Sequence, residues 1–262
     1  QSSSSQPLCF SWNKKSTMLA VCLDNQEIQI YRVAVELGYK EYQEFSTIKA
    51  YRLHHHIIMP TASAMCYALG SNDFTIYAVT EAVKLHSYTS HLKNASMVLD
   101  DTNERIFVAG LQGLMSVYSL NERGFPDLAC TFGPKESYEI TKLVLSEDRQ
   151  YLLAGTNEAQ VLVFEVFKKG KEKLSQHIST ILGPQNIGTL AFCKEYKLLY
   201  VSYRNNLVAI NTDSTPERII EGHSQLVLMV KYDPQAKLLI SSAEDGCVCF
   251  TPYNVHPIKA SK

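Results

Sequence analysis

The chain has 262 residues, a formal net charge of -1, and a composition that is 45% hydrophobic and 10% aromatic. This length is sufficient for one large domain with a substantial buried core. A charge so close to neutral argues against nucleic acid as a partner, because that kind of binding depends on neutralising phosphates. No apolar run approaches the roughly 20 residues of a membrane-spanning helix, so we expect no membrane partner either.

The seven cysteines are scattered along the chain, odd in number and mostly set in apolar strand patterns. We interpret nearly all of them as small buried hydrophobic residues, which fits a reducing compartment. No signal peptide opens the sequence. We therefore expect an intracellular, cytoplasmic protein, and because the first residue is Gln1 we expect the chain to be part of a longer one.

In chain order, the first element is a polar, Ser-rich stretch at residues 1–7, which we interpret as a tail or linker. Residues 8–262 are predicted to form one β-domain, because short apolar strands recur there between polar turns. The clearest copy, at residues 140–166, predicts three antiparallel strands marked by Leu145, Leu152 and Phe164. Three strands alone bury too little surface to be stable, so the sheet needs neighbours.

The same spacing of three anchor residues recurs about six times along the chain. The third anchors lie roughly 40 to 47 residues apart, which is the period of β-propeller blades. The other copies are marked by Trp12, Leu19 and Tyr31, by Ile58, Met65 and Tyr77, by Leu99, Ile106 and Tyr118, by Phe192, Leu199 and Asn211, and by Tyr232, Leu239 and Thr251.

Each copy has room for a fourth, outer strand after its third one. In the second copy, Pro60 is expected to end the first strand early, since proline cannot donate to the ladder. The predicted fold is therefore all-β, a β-propeller of four-stranded antiparallel blades with about six repeats visible and a seventh placed, as an alternative, outside the given sequence. The outer strands are predicted at residues 45–52, 83–88, 128–132, 174–181 and 218–221.

The last copy resembles the WD40-repeat family. It contains Gly222-His223, the turn at residues 232–234 and Asp245-Gly246 in the order and spacing of that family. The resemblance implies a degenerate WD40-like propeller, because no copy has the Trp-Asp pair of the family. In the family, a His, a Ser or Thr, an Asp and the Trp form a buried relay; here aromatic substitutes at the Trp position favour plain packing instead.

Two short stretches are similar to the large WD-repeat proteins associated with cilia and flagella. They are residues 39–44, with the sequence YKEYQE, and the ending at residues 244–247, with the sequence EDGC. This narrower resemblance implies an axonemal or cytoskeletal setting with tubulin-associated partners.

Catalytic motifs are not found in the sequence, which contains neither a nucleophile elbow nor a phosphate loop nor a zinc-protease helix motif. Adjacent residues of a strand point to opposite faces, so the run from His54 to His56 cannot direct all three side chains at one ion. The first-strand ends, where metal-dependent propeller hydrolases carry acidic and His residues, hold apolar and aromatic residues instead. We therefore expect no enzyme activity, no metal and no cofactor.

The remaining candidate surface is formed by the loops that enter each first strand and by the turns between second and third strands. Aromatic and Arg side chains are frequent in binding hot spots. The predicted function is a non-catalytic scaffold for protein–protein interactions in a multi-protein complex; the alternatives are a peptide-reader adaptor and, least favoured, a metal-dependent propeller hydrolase. The candidate protein-binding residues are Tyr51, His54, His55, His56, His91, Tyr138, Arg204, Asn205 and His223, beside the turn at Asp24 and Asn25.

Overall fold

The computed structural model describes residues 5–13, 15–36, 39–60, 65–89, 93–133, 138–168, 175–182, 187–193, 195, 197–233 and 235–252. These residues form 23 strands in six antiparallel sheets, and the chain divides into two compact units, Gln1–Phe132 and Gly133–Lys262. Consecutive strands are neighbours in every sheet. The prediction of an all-β chain built from repeated antiparallel sheets is confirmed.

The first unit contains three four-stranded sheets. Sheet 1 consists of β1 (Pro7–Trp12), β2 (Met18–Leu23), β3 (Glu27–Glu36) and β4 (Tyr39–Lys49). Sheet 2 consists of β5 (His56–Ile58), β6 (Met65–Leu69), β7 (Asp73–Ala78) and β8 (Val83–Thr89). Sheet 3 consists of β9 (Asn94–Asp100), β10 (Arg105–Gly110), β11 (Met115–Leu120) and β12 (Pro126–Phe132), with a short 3₁₀ turn at Leu111–Gly113.

The second unit contains two four-stranded sheets and one sheet with three strands among the described residues. Sheet 4 consists of β13 (Ile140–Leu145), β14 (Tyr151–Thr156), β15 (Gln160–Val166) and β16 (Ser175–Leu182). Sheet 5 consists of β17 (Leu190–Cys193), β18 (Leu198–Tyr203), β19 (Asn206–Asn211) and β20 (Pro216–Ile220). Sheet 6 consists of β21 (Val227–Asp233), β22 (Leu238–Ala243) and β23 (Val248–Pro252). The fourth strand expected for this copy would follow β23, at residues 254–262, which lie outside the described residues.

The strand register confirms the anchor frame in four sheets. There the three anchors are direct cross-strand partners in one row, so one side-chain position is repeated from sheet to sheet. These rows are Trp12, Leu19 and Tyr31; Leu99, Ile106 and Tyr118; Leu145, Leu152 and Phe164; and Tyr232, Leu239 and Thr251.

The frame is wrong in sheets 2 and 5. In sheet 2, Tyr67 rather than Met65 lies opposite Ile58, Cys66 rather than Met65 lies opposite Tyr77, and β5 is only three residues long. Pairing stops before Pro60, as predicted from the missing amide proton. In sheet 5, Ile210 rather than Asn211 lies opposite Leu199.

Asn211 is displaced from the anchor row because it serves the following turn. Its Nδ2 donates to Thr215 Oγ1 at 3.1 Å, and its backbone N donates to the Thr215 carbonyl at 2.9 Å. The apolar side chain of Ile210 occupies the core position instead and is fully buried.

The predicted outer strands are present in the first five sheets, with shifted ends. The largest difference is β4, which begins at Tyr39 rather than at residue 45 and forms a long ribbon with β3, extending to the pair Glu36 and Tyr39. The register shifts once along this ribbon, between Ile30 and Tyr31.

Neighbouring sheets within each unit pack face to face through apolar side chains. Ile30 of sheet 1 and Tyr77 of sheet 2 share one cluster, and Phe74 of sheet 2 and Ile106 of sheet 3 share another. In the second unit, comparable clusters join sheet 4 to sheet 5 and sheet 5 to sheet 6. Burying these faces is the main stabilising contribution of such a stack.

The expectation that nearly all cysteines are buried is wrong. Cys22, Cys66 and Cys193 are buried, whereas Cys9, Cys130 and Cys249 are half-buried and Cys247 is exposed. The exposed one, Cys247, follows the Asp-Gly turn and directly precedes β23. Within the described part of the chain, no helix has the length and apolar character needed to cross a membrane.

Candidate functional site

The connection from β4 to β5 carries the first group of candidate residues. Tyr51 is 78% exposed, and Lys84 Nζ lies 5.2 Å from the centre of its ring. His55 is also exposed, while its backbone N donates to the Leu69 carbonyl at 3.0 Å. The backbone of this connection is therefore fixed to sheet 2, and the side chains of Tyr51 and His55 face outward.

His54 lies inside the first unit rather than on its surface, with 3% of the residue exposed. Its Nε2 is 2.9 Å from the hydroxyl of Tyr77, and the two rings meet edge to face. Burial holds the pKa of His54 below its ordinary value, although the carboxylate of Asp73 partly opposes this effect. A neutral, buried imidazole anchors the loop and does not present its ring to a partner.

His56 begins β5 and is half-buried. Its Nδ1 accepts a hydrogen bond from the Met97 backbone N at 3.0 Å, which ties sheet 2 to sheet 3. The candidate His91 lies outside the described residues. The three consecutive histidines thus have three different roles, of which only that of His55 leaves the ring well exposed.

The second unit brings three candidates together around the connection from β20 to β21. Asn205 Nδ2 donates to the His223 carbonyl at 3.0 Å, and Val227 N donates to the Arg204 carbonyl at 3.0 Å. Arg204 is exposed at a left-handed turn position, with φ of 56°, between β18 and β19. The turn and the connection therefore form one rigid corner.

His223 is the centre of a hydrogen-bond relay in sheet 6. Its Nε2 lies 2.9 Å from Ser241 Oγ, and its Nδ1 lies 3.3 Å from Asp245 Oδ2. Because a carboxylate can only accept, in the neutral imidazole Nδ1 carries the proton and Nε2 accepts from the serine hydroxyl. His223 is 8% exposed, so its imidazole is committed to this relay.

The relay corrects the expectation of plain packing in every repeat. Sheet 6 keeps the His, Ser and Asp of the family's relay, while Thr251 occupies the Trp position. Sheet 2 keeps a shortened version in which the Tyr77 hydroxyl meets the buried His54 directly. The aromatic substitute at that position packs and also hydrogen-bonds.

Asp245 organises the Asp-Gly turn next to this relay. Its Oδ1 accepts from Cys247 N at 2.9 Å, and its Oδ2 accepts from Ser224 N at 2.9 Å. These two backbone donors hold the pKa of the Asp245 carboxyl below its ordinary value, with a smaller contribution from the hydrogen bond of His223. The carboxylate therefore joins the turn to the loop that precedes β21.

Tyr138 and the turn at Asp24 and Asn25 complete the candidate set. Tyr138 is only 6% exposed and lies just before β13. Asp24 Oδ1 accepts from Gln6 N at 2.9 Å, and Asn25 Nδ2 donates to Glu27 Oε2 at 2.9 Å. Both turn residues are exposed.

Sequence reasoning missed Ser241 and Asp245 as members of the relay, although both lie in the copy that resembles the family. The signal was present, since the Gly-His pair, the serine and the Asp-Gly turn have the family spacing. Among the described residues, no group of three or more His, Cys, Asp or Glu is arranged to hold a metal ion.

Comparisons with known proteins agree with this geometry. The family model "WD domain, G-beta repeat" matches residues 214–250, which include His223, Ser241 and Asp245. No curated protein sequence matches the chain. WD40 propellers typically act as scaffolds for protein interactions.

The structure is similar to the β-propeller domain of Cps50 (Swd1) from Myceliophteria thermophila. The TM-score is 0.74 at 13% identity, and the alignment covers 92% of this chain and 81% of that chain. At such a low sequence identity, the structural similarity establishes the fold and does not establish a shared function. The chain thus has the fold of a β-propeller, and its residues 214–250 match the WD40 repeat model, in agreement with the degenerate WD40 resemblance of its sequence.

Proposed function

We propose that the chain is a non-catalytic scaffold that binds other proteins within a larger intracellular assembly. The observation that carries this proposal is the contrast between buried and exposed residues in its loops. Buried His54 and His223 fix the connections that enter sheets 2 and 6, while Tyr51, His55 and Arg204 beside them remain exposed. Loops held in one geometry bind with little ordering cost.

The exposed members of the candidate set form two separate contact surfaces. The surface in the first unit contains Tyr51 and His55, and the surface in the second unit contains Arg204 with the half-buried Asn205. Aromatic and Arg side chains of this kind are common anchors of interfaces. The buried Tyr138, His54 and His223 support the loops from inside.

The assembly proposed for this scaffold is cytoplasmic, with the axoneme of a cilium or flagellum as the specific setting. That setting is supported by the similarity of residues 39–44 to ciliary WD-repeat proteins, and these residues include the start of β4. We propose neither nucleic acid nor membrane among its partners, since the net charge is only -1.

The test is affinity capture with the double variant Arg204→Glu and His55→Asp. Reversing or adding charge at these two exposed positions is expected to lower partner recovery by roughly tenfold, an effect typical of a lost hot spot. The control is Arg123→Glu, which changes an exposed side chain in the turn between β11 and β12. This turn joins a third and a fourth strand, whereas the candidate residues lie in loops that enter first strands and in turns between second and third strands. Equal recovery with both variants would remove the two surfaces from the interface.

The second candidate function is a peptide-reader adaptor, and one observation favours it. A small pocket lined by polar and aromatic side chains lies beside Tyr51 in the first unit. A metal-dependent hydrolase remains the third alternative, and a stoichiometric, tightly held divalent ion in the purified protein would favour it over the scaffold.

A further inference from the structure

A pocket of about 130 Å³ lies in the first unit, on the face of sheet 2 that carries Tyr77. Tyr77 belongs to the core cluster between sheets 1 and 2, so the pocket opens at the edge of that core. Its lining side chains are all polar or aromatic: Tyr51, Arg52, His54, Asp73, Thr75, Tyr77, Lys84, Ser87 and Thr89.

Strand pairing explains why so many polar groups meet there. Asp73, Thr75 and Tyr77 alternate along β7 and therefore share one face of the sheet. Their partners on β8 are Thr89, Ser87 and Lys84, which continue the same face outward. Tyr51 and Arg52 close the pocket from the connection between β4 and β5.

The pocket has positive charge that the described residues do not neutralise. Arg52 and Lys84 are exposed, and neither forms an ion pair within the described part of the chain. Lys84 instead lies over the ring of Tyr51. The single carboxylate, that of Asp73, is buried and accepts from Thr75 Oγ1 at 3.0 Å.

We propose that this pocket binds the phosphoryl group of a phosphorylated Ser or Thr side chain on a partner protein. The inference rests on the proposed protein-binding function and assigns to it a recognition chemistry. With the Asp73 carboxylate counted, the lining has a formal net charge of +1, carried by the two exposed cations Arg52 and Lys84. A phosphoryl group has three acceptor oxygens and a charge of about -1.5 to -2, so it can contact both cations at once.

Size and donor chemistry support the same ligand class. Pockets for whole small molecules occupy roughly 300 to 1,000 Å³, so about 130 Å³ suits one group at the end of a side chain. The Thr89 hydroxyl can rotate its proton toward an oxyanion, whereas the Ser87 hydroxyl donates to Thr75 Oγ1 at 2.9 Å, since the Thr75 proton goes to Asp73. Arg52 can add a two-pronged hydrogen bond to the phosphoryl oxygens.

The experiment titrates the whole chain with inorganic phosphate, acetate and the peptide Gly-Gly-pSer-Gly-Gly, observed by backbone amide NMR. Saturable shifts are expected at residues 51–54 and 84–89, with a Kd of roughly a millimolar for phosphate and weaker binding of acetate. The double variant Arg52→Ala and Lys84→Ala should weaken phosphate binding by about tenfold.

The matched control is Lys15→Ala with Arg123→Ala, which removes the same two side-chain types from exposed turns of the first unit. It should bind phosphate like the unaltered chain, and both double variants should keep the unaltered melting temperature. The proposal is overturned if the two double variants bind phosphate equally, if acetate binds as well as phosphate, or if phosphoinositide vesicles bind at these residues and the phosphopeptide does not. Loss of this site with partner capture intact would leave the scaffold function standing.

Discussion

His54 and His223 are buried histidines that lie in the connections entering the first strands of sheets 2 and 6. Each contacts a polar side chain of a later strand in the same sheet, Tyr77 in one case and Ser241 in the other. In both sheets a buried histidine fixes the connection to the sheet, although its hydrogen-bond partner differs. At the scale of residues, the loops are held by imidazole groups that the protein keeps away from solvent.

Stability should therefore decrease in mild acid through His54. Its folded-state pKa is lowered, so the neutral form is favoured by folding, and its contribution is present above the unfolded pKa and lost as the pH falls below it. Urea unfolding between about pH 7.5 and pH 5.5 should show this loss, and His54→Gln should flatten it. An identical pH slope in the variant and the unaltered chain would contradict the assignment.

The relay of sheet 6 should behave as a coupled unit. His223→Ala is expected to lower the free energy of unfolding by about 2 kcal/mol, because it leaves a buried hydroxyl without its partner. In a double-mutant cycle with Ser241→Ala, the coupling should be about 1 kcal/mol. Ser242→Ala, which faces the other side of β22, should show no coupling with His223→Ala.

At the scale of elements, the repeated row of anchor residues defines the sheets. Leu152 lies at the centre of one such row, between Leu145 and Phe164, and is fully buried. Because side chains alternate along a strand, a polar side chain placed at position 152 could reach solvent only if the whole strand shifted its register by one residue.

Leu152→Asp should unfold the second unit, since it buries a charge in an apolar strand. The matched control is Leu182→Asp on β16 of the same sheet, where the side chain is 62% exposed. The control is expected to keep its circular dichroism spectrum and its melting temperature within a few degrees. A soluble, natively folded Leu152→Asp protein would show that the strand register is wrong.

Most of the strands and their pairing could be predicted from the sequence, because the alternation of apolar residues and the polar turns are local signals. The register failed where a single residue served another purpose, as Asn211 does in its turn and as Pro60 does by shortening β5. The alternation of apolar residues does not show which of two adjacent residues pairs within the strand and which one forms the hydrogen bonds of the following turn.

The candidate site was less predictable than the fold. Sequence reasoning located the loops, but it could not separate buried His54 from exposed His55, because burial depends on the neighbouring sheet. The pocket beside Tyr51 joins residues of two strands and one connection, and its members Arg52, Asp73 and Lys84 have no shared sequence motif.

At the scale of the whole molecule, the sequence match is confined to one repeat, whereas the similarity of fold extends over nearly the whole chain. The model "WD domain, G-beta repeat" matches residues 214–250, whereas the structural similarity to a known propeller covers 92% of the chain. Packing between sheets needs apolar faces of the right volume and not a fixed motif, so the repeats can lose the Trp-Asp pair and keep the fold.

The same separation applies to function, because 1574 chains of known structure match this fold and a fold so widely used does not specify a partner. Specificity must then come from the loops, where side chains are exposed on a rigid support. We propose that the two surfaces around Tyr51 and Arg204 carry this specificity.

The most direct test of the scaffold proposal is affinity capture of the protein from its native cells, with quantitative mass spectrometry of what is recovered. We predict a fixed set of proteins at constant ratio to the chain, and axonemal or tubulin-associated proteins among them if the ciliary setting is right. Recovery of no specific protein, together with a stoichiometric divalent ion in the purified chain, would contradict the scaffold and favour the hydrolase.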